Sequence, residues 1–76
     1  MIYDKLVVVN HLWDKDRVLK ELGLEKHPNV LVMSKSQNTF DGLQYKEVIL
    51  APGFTIDNDR QYQLVDRLEG EVHRYR

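Results

Sequence analysis

The sequence contains no cysteine, which excludes disulfide bonds, thiolate zinc sites and cysteine nucleophiles. Long apolar runs are also missing: none exceeds about five residues, far short of the roughly 20 that a membrane-spanning helix needs. The first residues include acidic Asp4 and no apolar stretch typical of a cleavable signal peptide. We therefore expect a cytoplasmic protein with no membrane partner.

A large net charge of either sign is lacking as well. Eleven lysines and arginines stand against twelve aspartates and glutamates, which gives a formal charge of −1. Such a balance creates no strong field to attract nucleic acid or an anionic membrane. A nucleic-acid site would have to be a local patch, so a protein partner is favoured.

The length of 76 residues indicates a single domain, residues 1–76. A domain of this size buries only about 60% of the surface that its unfolded chain exposes, so its stability is marginal. Self-association or a partner could bury more surface and so add stability. The 42% hydrophobic and 30% charged content is ordinary for a globular domain.

Four short apolar runs lie at residues 6–9, 30–33, 48–50 and, more weakly, 72–75, and amphipathic segments separate them. Continuous runs of valine, isoleucine and leucine are typical of strands buried on both faces of a parallel sheet. We predict an α/β fold: a small Rossmann-like sheet of three or four mainly parallel strands with two main helices, in the order β-α-β-loop-β-α.

The first half predicts one β-α-β unit. A strand over residues 2–10 precedes a helix that starts at Lys15, with Asp14 as its N-cap and Trp13 and Val18 in the positions of a hydrophobic staple.

Gly23 predicts the end of that helix. It occupies the position of a left-handed C′ residue, which would let Leu24 fold back on Leu19 in a Schellman motif. A second strand over residues 30–34 follows, and its crossover should be right-handed.

The second half predicts a strand over residues 46–51 and a second helix with three candidate N-caps, Asp57, Asn58 and Asp59. Gly70 either lies inside this helix or ends it, and we favour an end followed by an edge strand over residues 71–75. The residues predicted to be most buried are Val8, Leu19, Leu22, Leu31, Ile49, Val65 and Leu68.

Polar residues follow three of the strands, at positions 10–11, 34–38 and 51–53. In a parallel sheet these positions gather at one edge, where ligands bind. Lys35, Ser34, Ser36 and Asn38 could hold a phosphate or carboxylate there. The alternative is that polar loops at strand ends follow from the topology alone.

His11 is the one side chain at this edge that titrates near neutral pH, so it could act as a general base. No serine or threonine is placed by the sequence to be its nucleophile, and the alternative is a loop histidine bonded to the backbone. The three histidines are scattered without a metal-ligand spacing, so we expect no metal. No glycine follows the first strand until Gly23, so we expect no nucleotide cofactor held by a glycine loop.

The favoured hypothesis is a non-catalytic accessory or interaction domain that binds a protein partner. Its predicted binding residues are His11, Trp13, Lys35, Ser36, Asn38 and Phe54. The rival is a small nucleotide- or nucleic-acid-binding protein that uses the same loops through His11, Lys35, Ser36 and Asn38. A hydrolase or transferase with His11 as base comes third. Trp13 and Phe54 could instead cover the edge of the core.

Overall fold

The computed structural model describes residues 2–36 and 44–74 and has a mixed α/β architecture, as predicted. A short 3₁₀ helix, Leu12–Asp14, precedes the first α-helix. The strands are β1 (Ile2–Tyr3), β2 (Lys5–Val9), β3 (Val30–Ser34), β4 (Gln44–Tyr45) and β5 (Val48–Leu50), and the helices are α1 (Lys15–Glu21) and α2 (Asp59–Arg74).

The main sheet has three parallel strands in the order β3-β2-β5. In the register of the sheet, Val7 of the central strand lies beside Val32 on one side and Ile49 on the other. The prediction that these three strands are mutually parallel is confirmed.

The first predicted strand is divided in two at Asp4. Its first part, β1, pairs in parallel with β4, whereas β2 pairs with β3 and β5. The division is stabilised by Asn29, whose backbone oxygen accepts a hydrogen bond from the Asp4 amide at 3.0 Å and whose side chain donates to the Ile2 carbonyl at 2.7 Å. The third predicted strand is likewise shorter than expected, with β5 preceded by the separate strand β4.

The two helices contribute to clusters on opposite faces of the sheet, because alternate side chains of β2 point in opposite directions. Leu6 and Val8 belong to the cluster that includes Leu68 of α2. Val7 and Val9 belong to the cluster that includes Val18 of α1. The remaining buried members are Met33 and Tyr45 on the α2 side and Ala51 on the α1 side.

The predicted core is right in part. Val8, Val65 and Leu68 are buried, but Leu19, Leu22, Leu31 and Ile49 are only half-buried. The most completely buried segment is residues 6–9 of the central strand. It has neighbours on both sides, whereas β3 and β5 each have one in the main sheet.

The end of α1 is the predicted Schellman motif. Gly23 has a φ of +70°, the Leu24 amide donates to the Leu19 carbonyl at 2.9 Å, and the Gly23 amide donates to the Lys20 carbonyl at 3.1 Å. These are the two hydrogen bonds that define the motif.

The helix α1 starts at Lys15, as predicted, but the predicted cap by the Asp14 side chain is wrong. Asp14 makes no side-chain capping hydrogen bond and instead forms an ion pair with Arg17 at 3.5 Å. The reason is the preceding 3₁₀ turn, in which the Asp14 amide donates to the His11 carbonyl at 3.0 Å. This turn gives Asp14 a helical backbone, whereas a capping residue normally has an extended one.

Asn58 is the capping residue of α2 among the three candidates. Its side-chain oxygen accepts from the Gln61 amide at 3.0 Å, while the Gln61 side chain accepts from the Asp57 amide at 2.8 Å. This exchange satisfies two amides at the start of the helix, in the manner of a capping box.

The edge strand predicted after Gly70 is wrong for residues 71–74, because α2 continues through them. Residue 75 lies outside the described residues. A glycine inside a helix costs only about 1 kcal/mol relative to alanine, so one glycine does not by itself end a helix. The motif after Gly23 depends on a left-handed backbone, which the helical backbone at Gly70 does not have.

Two glycine substitutions should have opposite effects. Gly70→Ala is expected to stabilise the domain by up to about 1 kcal/mol, because alanine favours a helical backbone. Gly23→Ala is expected to destabilise it by about 1 kcal/mol, because its positive φ disfavours any residue with a Cβ. Urea unfolding measures both. Destabilisation by Gly70→Ala would contradict the continuous helix.

Candidate functional site at the strand ends

The carboxyl ends of the three parallel strands meet at one edge of the domain. Backbone hydrogen bonding continues past the strands there: the Lys35 amide donates to the Val9 carbonyl, and the Ala51 amide donates to the Val8 carbonyl, both at 2.9 Å. The residues that follow β2, β3 and β5 are thereby held close together. This is the edge at which open parallel sheets bind ligands.

Residues 52–57, which we call the strap, follow β5 and are joined to the end of β2. The Asn10 side chain donates to the Gly53 carbonyl at 3.0 Å and accepts from the Thr55 amide at 3.1 Å. Gly53 has a φ of +79°, a backbone conformation that glycine adopts without strain. One asparagine therefore fixes the path of the strap through two backbone groups.

The strap is also bound to Lys35, which follows β3. The Lys35 ammonium donates to the Thr55 carbonyl at 2.8 Å and to the Thr55 hydroxyl at 3.0 Å, and it forms an ion pair with Asp57 at 2.7 Å. These three acceptors match the three protons of an ammonium. The Lys35 side chain is only 6% exposed, and its nitrogen lies 5.7 Å from the centre of the Phe54 ring.

Asp57 is the exposed member of this pair, with 60% of its side chain accessible. The hydrogen bond from Lys35 is the main cause that lowers the pKa of Asp57 below its ordinary value. Desolvation opposes this effect, and the charge of Lys35, the Thr55 hydroxyl and the charge of His11 lower the pKa by smaller amounts. The stabilisation from this lowered pKa is complete above the ordinary carboxyl range and is lost as the pH falls through the lowered value.

An aromatic loop, residues 11–13, directly follows Asn10, the residue that is hydrogen-bonded to the strap. The rings of His11 and Trp13 are stacked, with their centroids 4.2 Å apart and their planes 10° from parallel. Trp13 is nevertheless 80% exposed, and Leu12 is exposed beside it. Ile56 of the strap is a further exposed apolar side chain.

The structure brings the predicted site residues together in two pairs, Lys35 with Phe54 and His11 with Trp13. Ser36 is exposed, and its amide and hydroxyl are both hydrogen-bonded to the Ser34 hydroxyl, at 3.1 and 2.7 Å. Asn38 lies outside the described residues. The binding role of all six residues stays a prediction.

Three residues that organise this edge are absent from the predicted set: Asn10, Thr55 and Asp57. Asn10 has a signal in the sequence, since an amide directly after a buried strand can bond a neighbouring loop. The sequence predicts Asp57 only as a candidate helix cap, and only the fold reveals its partner Lys35. Thr55 has no signal in the sequence, because only the path of the strap brings its carbonyl and hydroxyl oxygens to Lys35.

Within residues 2–36 and 44–74, no group of three histidine, aspartate or glutamate side chains could hold a metal ion. None of the helices in this described part of the chain is long and apolar enough to cross a membrane.

Comparisons with protein-family models, with curated proteins and with solved structures find no match for this chain.

Proposed function

We propose that this chain is a non-catalytic interaction domain that binds a protein partner through the aromatic loop and the exposed Ile56 of the strap. The observation that carries the proposal is the exposure of Trp13, 80% accessible although its ring is held by the ring of His11. Tryptophan is enriched among the residues that dominate interface energies. A partner that covers this ring would gain a large apolar contact.

The aromatic loop already makes contacts within the free domain, which favours binding. The 3₁₀ turn Leu12–Asp14 and the stacked rings hold Trp13 in one position, and Asn10, directly before the loop, is hydrogen-bonded to the strap. Ordering a mobile side chain at an interface costs about 0.5–1.5 kcal/mol. Less of that cost arises for a side chain that is already held.

The nucleic-acid rival has less support. Lys35, the cation on which it relies, already donates to Thr55 and pairs with Asp57. A phosphate would have to displace these acceptors, and the net charge of −1 offers no general attraction. A protein partner requires neither the displacement of these acceptors nor a net positive charge.

We further propose that the domain has a small Rossmann-like fold and that the protein is located in the cytoplasm. The strand order β3-β2-β5 supports the fold, because the chain passes from the central strand to one neighbour and then to the other, as in doubly wound sheets. The absence of cysteine supports a reducing compartment.

The test uses tagged parent protein, Trp13→Ala and the control Tyr62→Ala, which removes another exposed aromatic residue from α2. Proteins captured from the source cell by the parent are identified, purified and titrated with each variant. Loss of a tryptophan that the partner buries is expected to cost about 2 kcal/mol or more of binding free energy, roughly a 30-fold weaker Kd. Tyr62→Ala should bind like the parent.

Equal affinity of Trp13→Ala and parent would contradict the proposal. A captured nucleic acid whose affinity falls steeply with salt and is lost in Lys35→Met would support the rival instead. Sedimentation of the purified parent tests self-association. A dimer that Trp13→Ala dissociates would identify a second copy as the protein partner.

A further inference from the structure

The strap passes from the end of β5 to the residue that follows β3, although β2 lies between these strands. It is hydrogen-bonded first to Asn10, at the end of β2, and then to Lys35. It therefore spans the carboxyl ends of all three strands of the main sheet. In open parallel sheets this edge is normally accessible to a ligand.

We propose that the strap is an internal lid over this edge, which stays closed while the buried charge of Lys35 is paired with Asp57, and that Asp57 therefore controls its opening. This inference does not depend on the proposed function, since it concerns contacts within the domain. Opening would expose the Lys35 ammonium and the end of β2. It would also move Ile56, which lies between Thr55 and Asp57 in the strap.

The two ends of the ion pair differ in burial, and this difference explains why Asp57 controls the lid. Lys35 is almost wholly buried, so its charge must be compensated where it lies. Asp57 is mostly exposed and can turn into water at little desolvation cost. When the carboxylate leaves, the ammonium keeps only the two neutral acceptors of Thr55.

An ammonium with too few hydrogen-bond acceptors lowers its free energy by reaching water. The strap covers Lys35 through Phe54 and Thr55, so this movement requires the strap to shift. Removing the charge has the opposite effect: Lys35→Met leaves no buried cation, and the two hydrogen bonds of Asn10 still hold the strap. Loss of Asp57 should open the lid, and loss of the Lys35 charge should not.

Reductive methylation of the native protein, followed by mass spectrometry, measures how accessible each lysine is. In the parent, Lys35 should react at least about tenfold more slowly than Lys46, because it reacts only when the strap opens locally. The Lys46 side chain is 72% exposed and serves as the internal standard. Asp57→Asn should raise the ratio of Lys35 to Lys46 labelling about fivefold or more, towards the exposed limit.

The matched control is Asp16→Asn, which removes an exposed carboxylate from α1 and should leave the ratio unchanged. Circular dichroism checks that each variant is folded. If Asp57→Asn does not fold, Thr55→Val replaces it, since it removes the hydroxyl acceptor of Lys35 and keeps the carbonyl acceptor. It should also raise the ratio.

Equal labelling of Lys35 and Lys46 in the parent would overturn the proposal, because the lid would not be closed. An unchanged ratio in a folded Asp57→Asn variant, or in Thr55→Val where that variant is used, would overturn the role of the strap contacts. An increase in Asp16→Asn as large as that in Asp57→Asn would attribute the effect to net charge, and would overturn it as well.

Discussion

Replacing Leu6 by alanine is expected to lower the free energy of unfolding by about 2–5 kcal/mol. Leu6 has no exposed surface and lies on the central strand, in the cluster that includes Met33, Tyr45 and Leu68. Truncation would remove apolar contacts on the side of the sheet covered by α2. β3 and β5 are each hydrogen-bonded to β2, so the surrounding backbone cannot close the cavity completely.

The loss is large relative to the stability of the whole domain. At about 0.05–0.15 kcal/mol per residue, a chain of this length has roughly 4–11 kcal/mol in total. Leu6→Ala would therefore remove a substantial fraction of it. We expect a much lower urea midpoint, with part of the population unfolded in buffer if the parent lies near the lower limit.

Leu12→Ala is the matched control, because it makes the same chemical change at an exposed position of the aromatic loop. It should change the free energy of unfolding by no more than about 0.5 kcal/mol. Urea titrations followed by circular dichroism compare the two variants with the parent. Similar midpoints for Leu6→Ala and Leu12→Ala would contradict the position of β2 at the centre of the sheet.

The sequence could predict the parallel sheet and the end of α1 because both depend on local patterns. Apolar runs of valine and leucine identify strands buried on both faces, and a glycine after an apolar stripe identifies a Schellman motif. The division of the first strand at Asp4 is different. The sequence predicts one continuous strand over residues 2–10, whereas pairing of β1 with the distant strand β4 and the hydrogen bonds of Asn29 separate β1 from β2.

The core residues were predicted less well, because burial depends on strand order. Periodicity indicates which residues of an element face inward, but not which strand is central. Leu31 lies on β3, a strand with one neighbour in the main sheet, and is half-buried. Leu6 lies between two neighbours and is completely buried.

Local patterns also predict the candidate site only in part. The parallel topology predicts that Asn10, Lys35 and the start of the strap meet at one edge, and they do. The sequence does not show that Lys35 is already bound to Thr55 and Asp57. A lysine after a strand was interpreted as a donor for a ligand, whereas in the structure it donates to the domain's own loop.

Leu68→Ala is expected to destabilise the domain by about 2–5 kcal/mol, for a reason that concerns the attachment of α2. Leu68 is 1% exposed and packs in the cluster of Leu6 and Tyr45, to which Leu64 also contributes. The Tyr45 hydroxyl donates to the Leu68 carbonyl at 3.2 Å. That hydrogen bond involves the backbone and can persist in the variant, so the expected loss comes from apolar packing.

Gln63→Ala is the control on the same helix, since Gln63 is exposed and alanine is at least as favourable in a helix. Urea unfolding should separate the two variants by about 2 kcal/mol or more. Amide exchange adds a second readout: in Leu68→Ala the amides of α2 should lose protection before those of β2, because the variant weakens the apolar packing of the helix on the sheet. Equal urea midpoints for the two variants, with α2 equally protected in both, would show that the helix does not depend on Leu68 for its place on the sheet.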